Sequence, residues 1–95
     1  MFLYTSGTTG KPKGVVLSHA NLDAQIISLQ KAWAWSEKDK ILLTLPLYHV
    51  HGIVNILMCS LASGATCIIH SKFDPESSWD EIRKGKITLF MAVPT

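Results

Sequence analysis

The run Ile41-Leu42-Leu43-Thr44-Leu45, closed by Pro46, constrains the fold more than any other stretch of this chain. An apolar run without alternation has no face to turn to water, so as a strand it must be covered on both sides. Sheets covered on both sides are parallel, with helices packed on their faces and helical crossovers joining their strands. Pro46 lacks a ladder donor and disfavours helical backbone at Leu45, which ends the strand there.

The remaining segments supply the elements such a sheet needs. Phe2 to Thr5 reads as a short strand, Ser6 to Gly14 as a Gly-rich break, and Val15-Val16-Leu17 as a second strand. Ser18 is a helix N-cap for an apolar-periodic stretch running to Trp33 or Ala34, and Ser36 to Lys40 is a polar turn. From Gly52, Ile53, Val54, Ile56, Leu57, Met58, Leu61 and Ala62 read as a helix that Gly64 stops; it is too interrupted to span a membrane. Ala65 to Ile69 is a strand, Asp74-Pro75-Glu76 opens a helix, and Ile87 to Val93 is a closing strand. The expected class is α/β: a strand-loop-strand unit, then alternating helices and mostly parallel strands with right-handed crossovers.

Ninety-five residues bound the chain to one domain at most, while an apolar fraction of 47% asks for more burial than so short a chain can provide. With Phe2 and Phe90 to Thr95 lying in apolar runs at the two ends, the expectation is a piece of a larger protein. Nine basic and seven acidic residues are scattered without a basic stripe, which points away from nucleic acid and anionic membrane as partners. Cys59 and Cys67 sit among apolar neighbours without metal-ligand spacing and read as free core thiols of a reducing, intracellular compartment. No signal or transit peptide precedes the first motif.

Chemistry concentrates in Tyr4-Thr5-Ser6-Gly7-Thr8-Thr9-Gly10-Lys11-Pro12-Lys13-Gly14. A triphosphate needs many short donors at close range. Thr5, Ser6, Thr8 and Thr9 offer hydroxyls, and Gly7, Gly10 and Gly14 let backbone amides turn inward. Lys11 and Lys13 add compact positive charge on flexible stems, and Pro12 stiffens the loop's exit. The pattern is neither a Walker A loop nor GxGxxG, and its ordered run of choices exceeds what a generic hairpin loop requires.

This motif, matched without departure, resembles the signature of the adenylate-forming (AMP-binding) superfamily, which includes acyl-CoA synthetases, peptide-synthetase adenylation domains and firefly-type luciferases. The resemblance implies that residues 1–95 are part of the large N-terminal adenylation domain, with the rest of that domain and a C-terminal domain outside them. It implies a loop that grips the β and γ phosphates of ATP while a carboxylate attacks the α phosphorus, followed by thioester formation with coenzyme A. Cofactor-binding residues are then Thr5, Ser6, Gly7, Thr8, Thr9, Gly10, Lys11, Lys13 and Gly14, with Lys13 stabilising the departing pyrophosphate. Mg²⁺ accompanies ATP in the family, and the acid that holds it is expected beyond this chain.

Pro46-Leu47-Tyr48-His49-Val50-His51-Gly52 leaves the carboxyl end of the buried strand, where ligands sit in doubly wound sheets. The family carries a similar aromatic segment with a His here. By that resemblance His49 is catalytic and Tyr48, His49 and His51 bind the acid. A zinc pair at His49 and His51 lacks a third ligand at suitable spacing, so no metal ligand is assigned. His19 and His70 receive no role, and Trp33, Trp35 and Trp79 read as packing anchors.

Thr8 and His49 point to the acyl-CoA synthetase branch, because peptide-synthetase domains usually carry Ser and an Asp-containing segment there. Lys31 to Trp35, Leu45 to Gly52, Gly64 to Cys67 and Phe90 to Thr95 together resemble the mitochondrial malonyl-CoA synthetase subgroup. Bacterial malonate activators carry Arg at the position of Ser63, and the mitochondrial subgroup does not. Malonate as substrate and a mitochondrial location are what this resemblance implies. The alternatives are a synthetase for a short or medium fatty acid and a non-catalytic nucleotide-binding module.

Overall fold

The structure, a computed structural model, describes residues 1–94; Thr95, the last residue of the Phe90 to Thr95 run, lies outside the described residues. The central strand β3 (Lys40–Leu43) is flanked by β4 (Thr66–Ile69) and β5 (Leu89–Phe90), both parallel to it, in the order β4-β3-β5. A separate antiparallel hairpin pairs β1 (Phe2–Thr5) with β2 (Lys13–Val16). Ile41, Leu42 and Leu43 are fully buried, as a strand without alternation demands.

Helices supply the two coverings. Helix α1 (His19–Trp33) starts at Ser18, whose Oγ accepts from the Asn21 amide at 3.1 Å while the Asn21 side chain accepts from the Ser18 amide at 3.0 Å. Ala34, left-handed at φ 52°, stops it. Helix α2 (residues 51–63) joins β3 to β4 and is in two parts, a π-helix over His51–Met58 running into an α-helix over Cys59–Ser63, with Gly64 left-handed at its end. Helix α3 (Pro75–Lys84) starts at Asp74, whose carboxylate accepts from the Ser77 amide at 2.8 Å, and leads towards β5.

Ile41 and Leu43, on one face of β3, pack with Trp35, Ile56 and Cys59 into the core, and Ile26 and Leu29 of α1 close over it. Leu42 points to the other face, where α3 contacts β3. The start of β3 is pinned to β5 by Asp39, which accepts from the Ser36 amide at 2.8 Å and from Thr88 Oγ1 at 2.9 Å; Thr88 Oγ1 in turn accepts from the Lys40 amide at 2.9 Å.

Several expected bounds shift for identifiable reasons. The second strand begins at Lys13 rather than Val15, because Tyr4 and Thr5 pair with Gly14 and Lys13. The closing strand shrinks from Ile87–Val93 to Leu89–Phe90, since β3 offers it only Ile41 and Leu42 as partners. The second helix starts at His51, one residue before Gly52, and its first eight residues take π rather than α spacing. Trp35 is a packing anchor at 9% exposure, whereas Trp33 and Trp79, at 43% and 59%, are only partly covered by the described residues. Cys59 and Cys67 are free, and burial pushes both thiols' pKa up, which favours the protonated thiol.

Candidate active site

The hairpin turns the phosphate motif into a loop held by its own strands. Residues 6 to 12 form the tip between β1 and β2, exposed except for half-buried Gly7. Gly7 (φ +61°) and Gly10 (φ +81°) both take left-handed backbone, and a Cβ on Gly7 would lie 2.7 Å from the Lys11 carbonyl oxygen. The loop therefore folds tightly back on itself at Gly7, a position no other residue can fill without strain. Across the stem Tyr4 faces Gly14, and the missing side chain there makes room for the tyrosine ring, to within 3.3 Å of where a Cβ would stand. Lys13 opens β2 opposite Thr5, and its stem passes 3.7 Å from the Cβ position of Gly7. One ammonium thus extends from beside the tightest bend of the loop, while Thr5, Ser6, Thr8, Thr9 and Lys11 stand exposed around it.

The histidine segment leaves the carboxyl end of β3 through a turn in which the His49 amide donates to the Pro46 carbonyl at 3.3 Å. Tyr48 is 72% exposed, and its ring lies 4.8 Å from that of exposed His49, tilted by 53°. The Ile53 amide then donates to the His49 carbonyl at 3.1 Å, so His49 sits where the turn becomes α2 and His51 occupies the first turn of the helix, half-buried. The two imidazoles lie on a turn and a helix rather than on one strand face. Among the described residues no group of three or more His, Cys, Asp or Glu comes together.

Two cavities meet at His49. One, of about 260 Å³, is lined by Leu3, Tyr4, Thr5, Val15 and Leu17 of the hairpin and by Tyr48, His49 and Val50. The other, of about 490 Å³, is lined by Leu45, Pro46, His49, Val50, His51 and Val93. The stem of the phosphate loop and the histidine segment, more than thirty residues apart in sequence, share the first. Sequence reasoning missed Val50 and Val93, whose apolar side chains carry no chemical signature; only the fold brings them to the cavity walls. It also missed Asn55, whose side-chain carbonyl oxygen is buried without a partner one turn below His51.

Ser63 ends α2, next to Gly64 and the start of β4, where Thr66 pairs with Lys40 at the beginning of β3. It lies twelve residues beyond His51, at the opposite end of α2. Its Oγ accepts from Gln30 Nε2 at 2.8 Å.

The family described as AMP-binding enzyme matches residues 1–95. The mitochondrial malonate–CoA ligase ACSF3 of Homo sapiens is 49% identical over 98 residues, covering 100% of this chain and 17% of that protein. Indoleacetate–CoA ligase of Aromatoleum aromaticum is 44% identical, with 99% of the chain and 18% of that protein covered. Among solved structures, ATP-bound MatB from Rhodopseudomonas palustris superposes with a TM-score of 0.89 at 38% identity, over 98% of the chain and 18% of that structure. The chain thus spans about one-sixth of the length of the relatives it matches.

Proposed function

Because this chain belongs to the AMP-binding enzyme family, we propose that it is the phosphate-loop and acid-pocket segment of an ATP-dependent acid:CoA ligase, with malonate as the acid and the mitochondrion as its place. The observation that carries this reading is the shared cavity of about 260 Å³, which sets the stem of a Lys- and hydroxyl-rich loop against His49. A reaction that joins a carboxylate to the α phosphorus of ATP needs those two groups side by side.

In this reading Thr5, Ser6, Thr8 and Thr9 donate to the β and γ phosphates, and the backbone turns at Gly7 and Gly10 aim amides the same way. Lys11 and Lys13 balance their charge. The carboxylate oxygen attacks the α phosphorus, the bond to the bridging oxygen breaks, and pyrophosphate leaves past the Lys13 ammonium. His49 orients the attacking carboxylate from the second cavity, and Tyr48 and His51 complete the wall around the acid. The thiol of coenzyme A then displaces AMP from the acyl-adenylate. Mg²⁺ travels with ATP, and its carboxylate ligand is not assigned to this segment.

Malonate draws support from the ligase of that name at 49% identity and from half-buried His51 beside the second cavity. An alkyl chain there strands an imidazole against methylenes, a penalty of roughly 1 to 3 kcal/mol, whereas a second carboxylate accepts its hydrogen bond. One feature favours a second reading, a short or medium monocarboxylic acid: Leu45, Pro46, Val50 and Val93 make the rest of that cavity apolar. The test is a competition among malonate, acetate and octanoate in the full-length ligase that carries this segment, scored by thioester formed. Malonate is expected to win on kcat/KM, and His51→Leu is expected to shift preference towards the monoacids. Octanoate winning overturns the malonate assignment, and absence of acid-dependent pyrophosphate exchange with every acid overturns the ligase reading.

A further inference from the structure

Gly52 is buried in the first turn of α2, and its backbone is right against the end of β3. A Cβ there would run into the Pro46 carbonyl oxygen, and would also stand 3.0 Å from the Pro46 carbonyl carbon and 3.1 Å from the Leu45 oxygen. These are backbone atoms, which cannot rotate aside as a side chain would. The φ of Gly52 is not left-handed, unlike those of Gly7, Gly10 and Gly64, so chain conformation does not call for glycine here; the close approach does. That approach spans the short turn carrying His49, which is held at both ends, by His49 N–H to Pro46 O and by Ile53 N–H to His49 O. Val50 and His51, between His49 and Gly52, line the same cavity as His49.

We propose that Gly52 is a positioning residue: its missing side chain sets the depth at which α2 docks on the Leu45-Pro46 backbone, and thereby where both imidazoles stand relative to the acid. The inference rests on the proposed ligase reading and adds a determinant that touches no substrate. A methyl group at 52 lifts the first turn of α2 off Pro46 and displaces His49 and His51 together. The phosphate loop, on a separate hairpin, keeps its shape. Acid handling and ATP handling should therefore come apart.

The experiment is pyrophosphate exchange in the full-length ligase, with KM for acid and KM for ATP measured separately and the thermal midpoint recorded. Gly52→Ala is expected to raise KM for the acid by about ten- to a hundredfold while KM for ATP stays within about threefold. Gly64→Ala strains the other end of the same helix, where φ is +70° and a Cβ meets only the Glu37 side chain. It is expected to lower the thermal midpoint and leave KM for the acid alone, which separates positioning from general loss of helix stability. Equal changes in acid KM from the two variants, or unchanged acid KM in a folded Gly52→Ala, overturn the proposal. Should Gly52→Ala fail to fold, Leu47→Gly decides, because Leu47 lines neither cavity and loosening the turn between Pro46 and His49 must also raise acid KM selectively; an unchanged value overturns the proposal. A wild-type enzyme without acid-dependent exchange removes the ligase reading and this inference with it, whereas normal wild-type exchange with an indifferent Gly52→Ala removes this inference alone.

Discussion

At Gly7 two independent requirements coincide: left-handed backbone, and a carbonyl oxygen 2.7 Å from where a methyl group would go. Gly7→Ala must open the loop at the bend beside which the Lys13 stem runs, so under the proposed function ATP loses a set of preformed donors. The expected result in the full-length ligase is a rise of about tenfold or more in KM for ATP, with circular dichroism unchanged because the loop tip is exposed; an unaltered KM for ATP would remove the loop from phosphate binding. Lys13 makes a different prediction. In the proposed reaction its charge matters most as pyrophosphate departs, so Lys13→Ala should slow adenylation by about one to three orders of magnitude without loss of folding. Rapid-quench measurement of acyl-adenylate at saturating acid and ATP checks it, and an unchanged rate refutes the role. The Lys-Pro-Lys order was open to view in the sequence, but which lysine flanks Gly7 was not, because that depends on the register Thr5 with Lys13 across the hairpin.

Among the elements, α1 is the one whose start is best explained by local chemistry. Ser18 and Asn21 satisfy each other's backbone amides, so Ser18→Ala should cost about 1 kcal/mol, visible in denaturant unfolding of the full-length protein as a lowered midpoint with an unchanged slope. The β3–β5 junction carries a pH dependence. Hydrogen bonds to Asp39 from the Ser36 amide and then from Thr88 hold its carboxyl below the usual carboxylate range. A depressed folded pKa means that the unfolded chain takes up the proton first. The stabilisation is thus complete above the unfolded value of about 3.9 and fades as pH falls through the lower, folded value. Thermal midpoints measured between neutral pH and about pH 3 should fall less steeply in Asp39→Asn than in the wild type; parallel curves would show that Asp39 contributes no linkage. The π segment of α2 marks the limit of pattern reading, since the spacing of Ile53, Val54, Ile56 and Leu57 suits a helix and says nothing of its hydrogen-bond register.

For the molecule as a whole, the outer surface is the feature with consequences. Phe2, Tyr4, Val16, Leu61, Phe73 and Trp79 are large apolar side chains each more than half exposed. These 95 residues expressed alone are expected to aggregate or to bind a hydrophobic dye as a loose globule; a soluble monomer with a cooperative thermal transition would contradict this. The sequence by itself determined the α/β class, the buried strand at Ile41 to Leu43, the caps at Ser18, Asp74 and Gly64, and the phosphate motif, because each depends on local periodicity or on residue chemistry within one turn. It read Trp33 and Trp79 as packing anchors without showing that they stand largely exposed here, since burial depends on what lies opposite a helix face, which no local pattern states. Only the tertiary structure decided that β5 crosses to the far side of β3, that the hairpin closes a cavity with Tyr48 and His49, and that Val50 and Val93 line the walls. These are juxtapositions of residues distant in sequence, fixed by strand order and by how closely one backbone can approach another, as at Gly52 against Pro46.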